Sequence, residues 1–234
     1  MGFGYLGYGY GGSGIFLLMA IIIMIIPLYA SMKVQNTFNK YSKIRSLSGY
    51  NGEEAAKRIL MMNNINIPIK PIRGSMTDFY DPIKKELALS QTVYGANSIA
   101  ALGVAAHEVG HAIQDADDYA FLRFRHALYP ATNFASRLSM PLVILGLITA
   151  GPFLQIGILL FAITTLFTII TLPVEFDASK RALVSLEASG ILGPQELDGA
   201  KKVLNAAALT YVAAAMVSIL SLLRLILMSN RRNN

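Results

Sequence analysis

What most constrains this chain is where it carries no charge. No Asp, Glu, Lys or Arg precedes Lys33, and none lies between Arg137 and Glu175. A charge at the centre of a membrane helix costs about 2.5–3.5 kcal/mol, whereas a helix satisfies its own backbone hydrogen bonds in hydrocarbon. Long uncharged apolar runs therefore predict membrane helices. The segment "IFLLMAIIIMIIPLYASM" (15–32) extends about 27 Å at the helical rise, close to a hydrocarbon core of about 30 Å. The run 138–174 would measure roughly 55 Å as one straight helix, too long for one crossing. It is expected to fold as a hairpin over 132–174, turning at Gly151-Pro152. Its first arm begins before Arg137, whose guanidinium can reach the interface. The stretch "VLNAAALTYVAAAMVSILSLL" opens a fourth span, expected over 203–228.

Composition agrees. Hydrophobic residues make up 54% of the 234 positions and charged residues only 15%, against about 25% in soluble proteins. The absence of cysteine excludes disulfides, thiolate metal sites and cysteine nucleophiles, so any metal must be held by nitrogen and oxygen. The net charge of +6 is dispersed beside apolar runs, which suits anionic lipid headgroups and argues against a nucleic-acid partner. The Gly/Tyr-rich leader 1–14 has no Lys or Arg, so the first span reads as an uncleaved anchor rather than a secretory signal. The leader itself is expected to be a flexible or interfacial tail. Lys33, Lys40, Lys43, Arg45, Arg123, Arg125 and Arg137 flank one polar segment, Lys180, Arg181, Lys201 and Lys202 lie in another, and the hairpin tip has none. The positive-inside rule places those segments in the cytoplasm; Arg224, Arg231 and Arg232 pull the other way.

The expected fold is mainly α: multi-pass membrane helices with a small α/β cytoplasmic portion over 33–131, a second soluble segment over 175–202 and a tail over 229–234. Within the first portion, "NGEEAAKRILMMNNI" reads as an amphipathic helix with Glu53 and Glu54 in its first turn. β-prone residues broken by Pro68, Pro71, Gly74 and Asp81-Pro82 follow. "ELALSQTVY" reads as a strand, offering either an edge to an extended peptide or a core element. From Asn97 or Ser98, either a suitable N-cap, helix is expected through about Asp115.

That helix contains "GVAAHEVGHAIQDADDY". Positions i and i+4 lie on one helical face, so His107 and His111 can present two imidazole nitrogens to one ion. This HExxH spacing suits zinc, with Glu108 as general base on a water at the open coordination position. A solvated surface helix is the bland alternative. The flanks "GVAA" and "AI" instead predict a buried helix, where Glu and two His without an ion would cost several kcal/mol.

The third ligand sets the class. HExxHxxGxxH fails, because Gln114 and Asp117 stand at the required Gly and His positions. His126, the only other histidine, is either an outer or oxyanion group or an ordinary interfacial residue. Glu175 in "TLPVEFDASKRAL" is the better candidate, with Pro173 expected in the first turn of a new helix; a dipole cap is the alternative role. A hairpin over 132–174 returns the chain to the face it left, so Glu175 can meet His107 and His111. Asp177 is expected to support the site or lie at the surface. Tyr80, Tyr94, Tyr119, Arg123 and Arg125 are candidate oxyanion stabilisers.

"SMTDFYDPIKKELALSQTVYGANSIAALGVAAHEVGHAIQDAD", "SRLSMPLVILG" and "LPVEFDASKRAL" together resemble the bacterial membrane-embedded neutral zinc metallopeptidases of the YugP type, over nearly the whole chain. These are similar, more distantly, to the HtpX and CAAX-prenyl gluzincin peptidases. The resemblance implies one zinc ion on His107, His111 and Glu175, Glu108 as catalytic base, and a bacterial cell-membrane location. The HtpX-like pattern places Asp four residues after the ligand Glu; Ser179 stands here, leaving Asp177, Ser179 or Asp115 to orient a histidine.

The expected function is a membrane zinc endopeptidase acting on a protein or peptide. The rival is a non-catalytic zinc scaffold or chaperone partner, which would fill all four zinc positions with protein donors. A metal transporter would need ionisable ligands within the spans, and these runs have none. Substrate presentation leaves room for a membrane-protein partner or a homo-oligomer.

Overall fold

The computed structural model describes residues 10–149 and 151–233. Most of the leader, residues 1–9, lies outside the described residues. Helix α1 (Tyr10–Tyr41) is followed by α2 (Gly52–Met62), strands β1 (Ile69–Ile72), β2 (Phe79–Asp81) and β3 (Glu86–Ser90), and the short α3 (Gln91–Tyr94). Then come α4 (Ile99–Ala116), α5 (Ala120–Ile148), α6 (Phe153–Ala188) and α7 (Pro194–Asn233). Four of these helices, α1, α5, α6 and α7, are long and apolar enough to cross a membrane. The chain divides into two units.

The first unit comprises residues up to Ala30, Leu128–Ile169 and those from Val212. Its helices are apolar yet poorly buried: Leu17, Met24, Ile144, Leu159 and Ile219 are all exposed, as expected of faces that meet lipid. Within it α5 and α6 touch through glycine. A Cβ on Gly146 would lie 2.2 Å from the backbone nitrogen of Leu154, and one on Gly157 2.7 Å from that of Val143. Small residues permit the close backbone contact that drives helix association where lipid offers no hydrophobic gain.

The second unit, Ser31–Ala127 and Ile170–Tyr211, carries the main core. Asn51 caps α2 in a capping box with Glu54, and the Ser98 side chain accepts from the Ala101 N–H to start α4. Ile59, Leu87, Leu89, Leu102, Val109, Leu186 and Leu204 are fully buried or nearly so. The sheet order is β1-β3-β2, with β1 parallel and β2 antiparallel to β3. β3 is therefore the central strand, with both edges occupied and Leu87–Ser90 buried; the core alternative holds for "ELALS", whereas "QTVY", expected to continue the strand, forms α3.

Two expectations are revised. The leader's Tyr10–Gly14 form the start of α1 rather than a tail. Pro173 starts no new helix: α6 runs through it unbroken. An interior proline costs about 3 kcal/mol, but the stripe Ile170, Val174, Ala178, Ala182 and Leu186 is buried at every position. Burying each of its larger side chains contributes about 1.5–3 kcal/mol, so continuity of the stripe outweighs the proline.

Candidate metal centre

Helix α4 presents His107, Glu108 and His111 on consecutive turns, and α6 supplies Glu175. Glycine explains how they meet. A Cβ on Gly110 would fall 2.4 Å from the carbonyl oxygen of Ala178, so only glycine lets the two backbones come this close. Ala178 lies one turn after Glu175, and the carboxylate thereby reaches the histidine pair.

Oε2 of Glu175 lies 3.3 Å from Nε2 of His107 and 3.6 Å from Nε2 of His111. The rings stand edge to face at 4.9 Å. This buried Oε2 has no hydrogen-bond partner, whereas Oε1 accepts from Arg125 at 3.1 Å. A tetrahedral zinc with bonds of about 2.0–2.1 Å sets its ligand atoms roughly 3.3 Å apart. One oxygen and two nitrogens at that spacing, the oxygen otherwise orphaned, fit such an ion. Among the described residues, His107, His111 and Glu175 form the group able to hold a metal, their donor atoms all within 4.8 Å of one another.

The histidines are oriented from behind. Gln114, fully buried, donates through Nε2 to the carbonyl of Val174 (2.8 Å) and to Asp177 Oδ2 (2.9 Å). Both partners are acceptors, which fixes the amide orientation. Its Oε1 therefore faces Nδ1 of His111 at 3.0 Å, the proton sits on Nδ1, and Nε2 is left with a free lone pair. Ser179 Oγ lies 3.1 Å from Nδ1 of His107. Asp177 is held in turn by Arg181 Nε at 2.6 Å, and Arg181 also pairs with Asp117.

Glu108 is 9% exposed. Burial pushes its carboxyl above the usual range, against the pull of the neighbouring histidines. It opens, with His107, onto a cavity of about 170 Å³ that Asp78 and Tyr211 also line. Asp78 is tied to β3, accepting from the Ser90 N–H and hydroxyl.

Of the other predicted residues, Ser179 and Asp177 adjoin the cluster, Ser179 directly and Asp177 through Gln114. Tyr80 donates to Asp115 at 2.5 Å, and Lys85 pairs with the same carboxylate. Arg123 pairs with Asp118 at the surface and the Tyr119 ring lies beside Arg181. His126 is exposed on α5 and outside the donor group. Sequence reasoning missed Gln114 as a histidine partner and Tyr211 altogether. Tyr211 sits amid "NAAALTYVAAAM", read only as a span; its signal was a lone phenol among alanines small enough to admit another helix. Its side chain lines the cavity onto which His107 and Glu108 open.

A family model described as "Putative neutral zinc metallopeptidase" matches residues 16–230. "Putative membrane protease YugP" of Bacillus subtilis (strain 168) is 44% identical over 216 residues, covering 91% of this chain and 96% of that protein. No solved structure matches the chain. The nitrogen and oxygen donors that converge here are of the kind such a description requires, and with similarity across nearly the whole length the chain belongs to the YugP-type neutral zinc metallopeptidase family.

Proposed function

We propose that this chain is a multi-pass membrane zinc endopeptidase of the HExxH gluzincin type, with one zinc on His107, His111 and Glu175 and its active site on the cytoplasmic side. The observation that carries the reading is the orphaned Oε2 of Glu175 facing two imidazole Nε2 atoms at ligand spacing. Three protein donors are the usual number in catalytic zinc sites, where the fourth position takes water. This favours hydrolysis over a structural scaffold.

Zinc held by His107, His111 and Glu175 would supply Lewis acidity, which lowers the pKa of water from about 15.7 toward 7. In the attack, Glu108 would take the proton of the incoming water on its carboxylate and hand it to the leaving amine nitrogen. Its burial raises the carboxyl, which favours taking up the proton and holding it for the leaving amine. Tyr211 offers its phenolic O–H to the oxygen that becomes negative as the carbonyl is attacked. Gln114 and Ser179 hold the rings, and Arg125 keeps one Glu175 oxygen occupied so that the other faces the two imidazole nitrogens.

The test is zinc content and casein cleavage for wild type, Glu108→Gln and Glu175→Ala. Glu108→Gln keeps zinc and loses hydrolysis; Glu175→Ala loses most of the zinc. Equal activity of Glu108→Gln and wild type removes the enzyme reading.

A further inference from the structure

The cavity beside His107 and Glu108 has walls that hydrolysis alone does not require. Three helices each contribute residues at helical spacing: Val34 and Phe38 one turn apart on α1, Val104 one turn before His107 and Glu108 on α4, and Val203, Leu204 and Ala207 ahead of Tyr211 on α7. The polar groups, His107, Glu108, Asp78 and Tyr211, are joined by this apolar wall into a single space. No Lys or Arg lines it, and of its two carboxylates Asp78 is already engaged by Ser90. Its volume of about 170 Å³ is below the roughly 300–1,000 Å³ of a small-molecule site. It has room for a single side chain.

We propose that this cavity is a specificity pocket: it takes one large aliphatic or aromatic side chain of the substrate, immediately beside the scissile peptide bond. The inference rests on the peptidase reading and deepens it. Glu108 forms part of the pocket wall, so a side chain seated in it lies next to the bond that Glu108 attacks through water. An acidic side chain meets two carboxylates and is repelled, while a small one leaves the wall uncovered. A missing methylene group or two in such a pocket costs roughly tenfold or more in kcat/KM.

The experiment uses the full chain in detergent micelles with zinc, and peptides identical except for Leu, Phe, Ala, Asp or Lys at one position. Wild type is expected to cleave beside Leu or Phe with kcat/KM at least about tenfold above Ala, Asp and Lys. Ala207→Phe, which fills the pocket, moves the preference to Ala. Val104→Ala, which enlarges it, moves the preference from Leu toward Phe and keeps the idea testable if the bulkier variant misfolds. Bound zinc measured in each variant separates pocket effects from unfolding. Glu108-dependent cleavage with no apolar preference, a preference for Lys, or a preference that neither variant shifts overturns the pocket and leaves the peptidase reading standing. Absence of any Glu108-dependent cleavage removes both.

Discussion

Arg125 donates to Oε1 of Glu175 at 3.1 Å and leaves Oε2 turned to the two histidines. The pairing spans 50 residues of sequence and joins α5 to α6 at the metal centre. A charged donor on one carboxylate oxygen fixes the plane of the group, so the other oxygen arrives already oriented. Replacing Arg125 by Met is expected to weaken zinc binding about 10- to 100-fold. Competition with a chelator of known affinity measures it, and an unchanged zinc affinity contradicts the orienting role.

Gln114 holds His111 in the tautomer that leaves Nε2 free. Gln114→Leu keeps most of the buried volume but leaves Nδ1 of His111 without its acceptor. Zinc affinity should fall by a similar 10- to 100-fold, whereas Gln114→Glu, which retains an acceptor, should fall less. The ranking of the two variants in the chelator assay is the check.

Tyr211→Phe removes one hydroxyl from the cavity that Tyr211 lines with His107 and Glu108 and leaves the aromatic ring in place. Zinc content and KM are expected to stay near wild type while kcat drops about 10²-fold, the range seen when one oxyanion donor is lost. A drop confined to KM would assign the phenol to ground-state binding instead.

Gly110→Ala tests the close approach of α4 and α6. Alanine favours a helix over glycine by about 1 kcal/mol, yet its Cβ would meet the Ala178 carbonyl oxygen at 2.4 Å. Van der Waals contact needs about 3.5 Å, so the helices must part by roughly 1 Å, a displacement that can cost about 10²-fold in activity. Net destabilisation with loss of zinc is expected, read by thermal melting with and without the metal. Retention of wild-type zinc affinity would show that the spacing at Gly110 does not govern the site.

The charge pattern predicts sidedness, and a chain without cysteine makes single-cysteine labelling clean. Leu47 and Ile148 are 92% and 78% exposed. Leu47→Cys should react with a membrane-impermeant maleimide only after cells are permeabilised, and Ile148→Cys in intact cells. The reverse pattern would place the site outside.

Local features of this protein were legible in its residues because their causes are local. Uncharged runs mark helices long and apolar enough to cross a membrane, four-residue spacing puts His107 and His111 on one face, and Ser98 caps the helix beneath them. Even Glu175 was within reach, since a run too long for one crossing must fold back. The tertiary structure decided what depends on partners distant in sequence. Buried packing carried α6 through Pro173, two occupied edges made β3 a core strand, and Gln114, Arg125 and Tyr211 were brought to the cluster. The contacts from Gln114 to Asp177 and from His107 to Ser179 span 63 and 72 residues. No periodicity encodes them, because they exist only where two helix backbones approach closely enough at a glycine for side chains to touch.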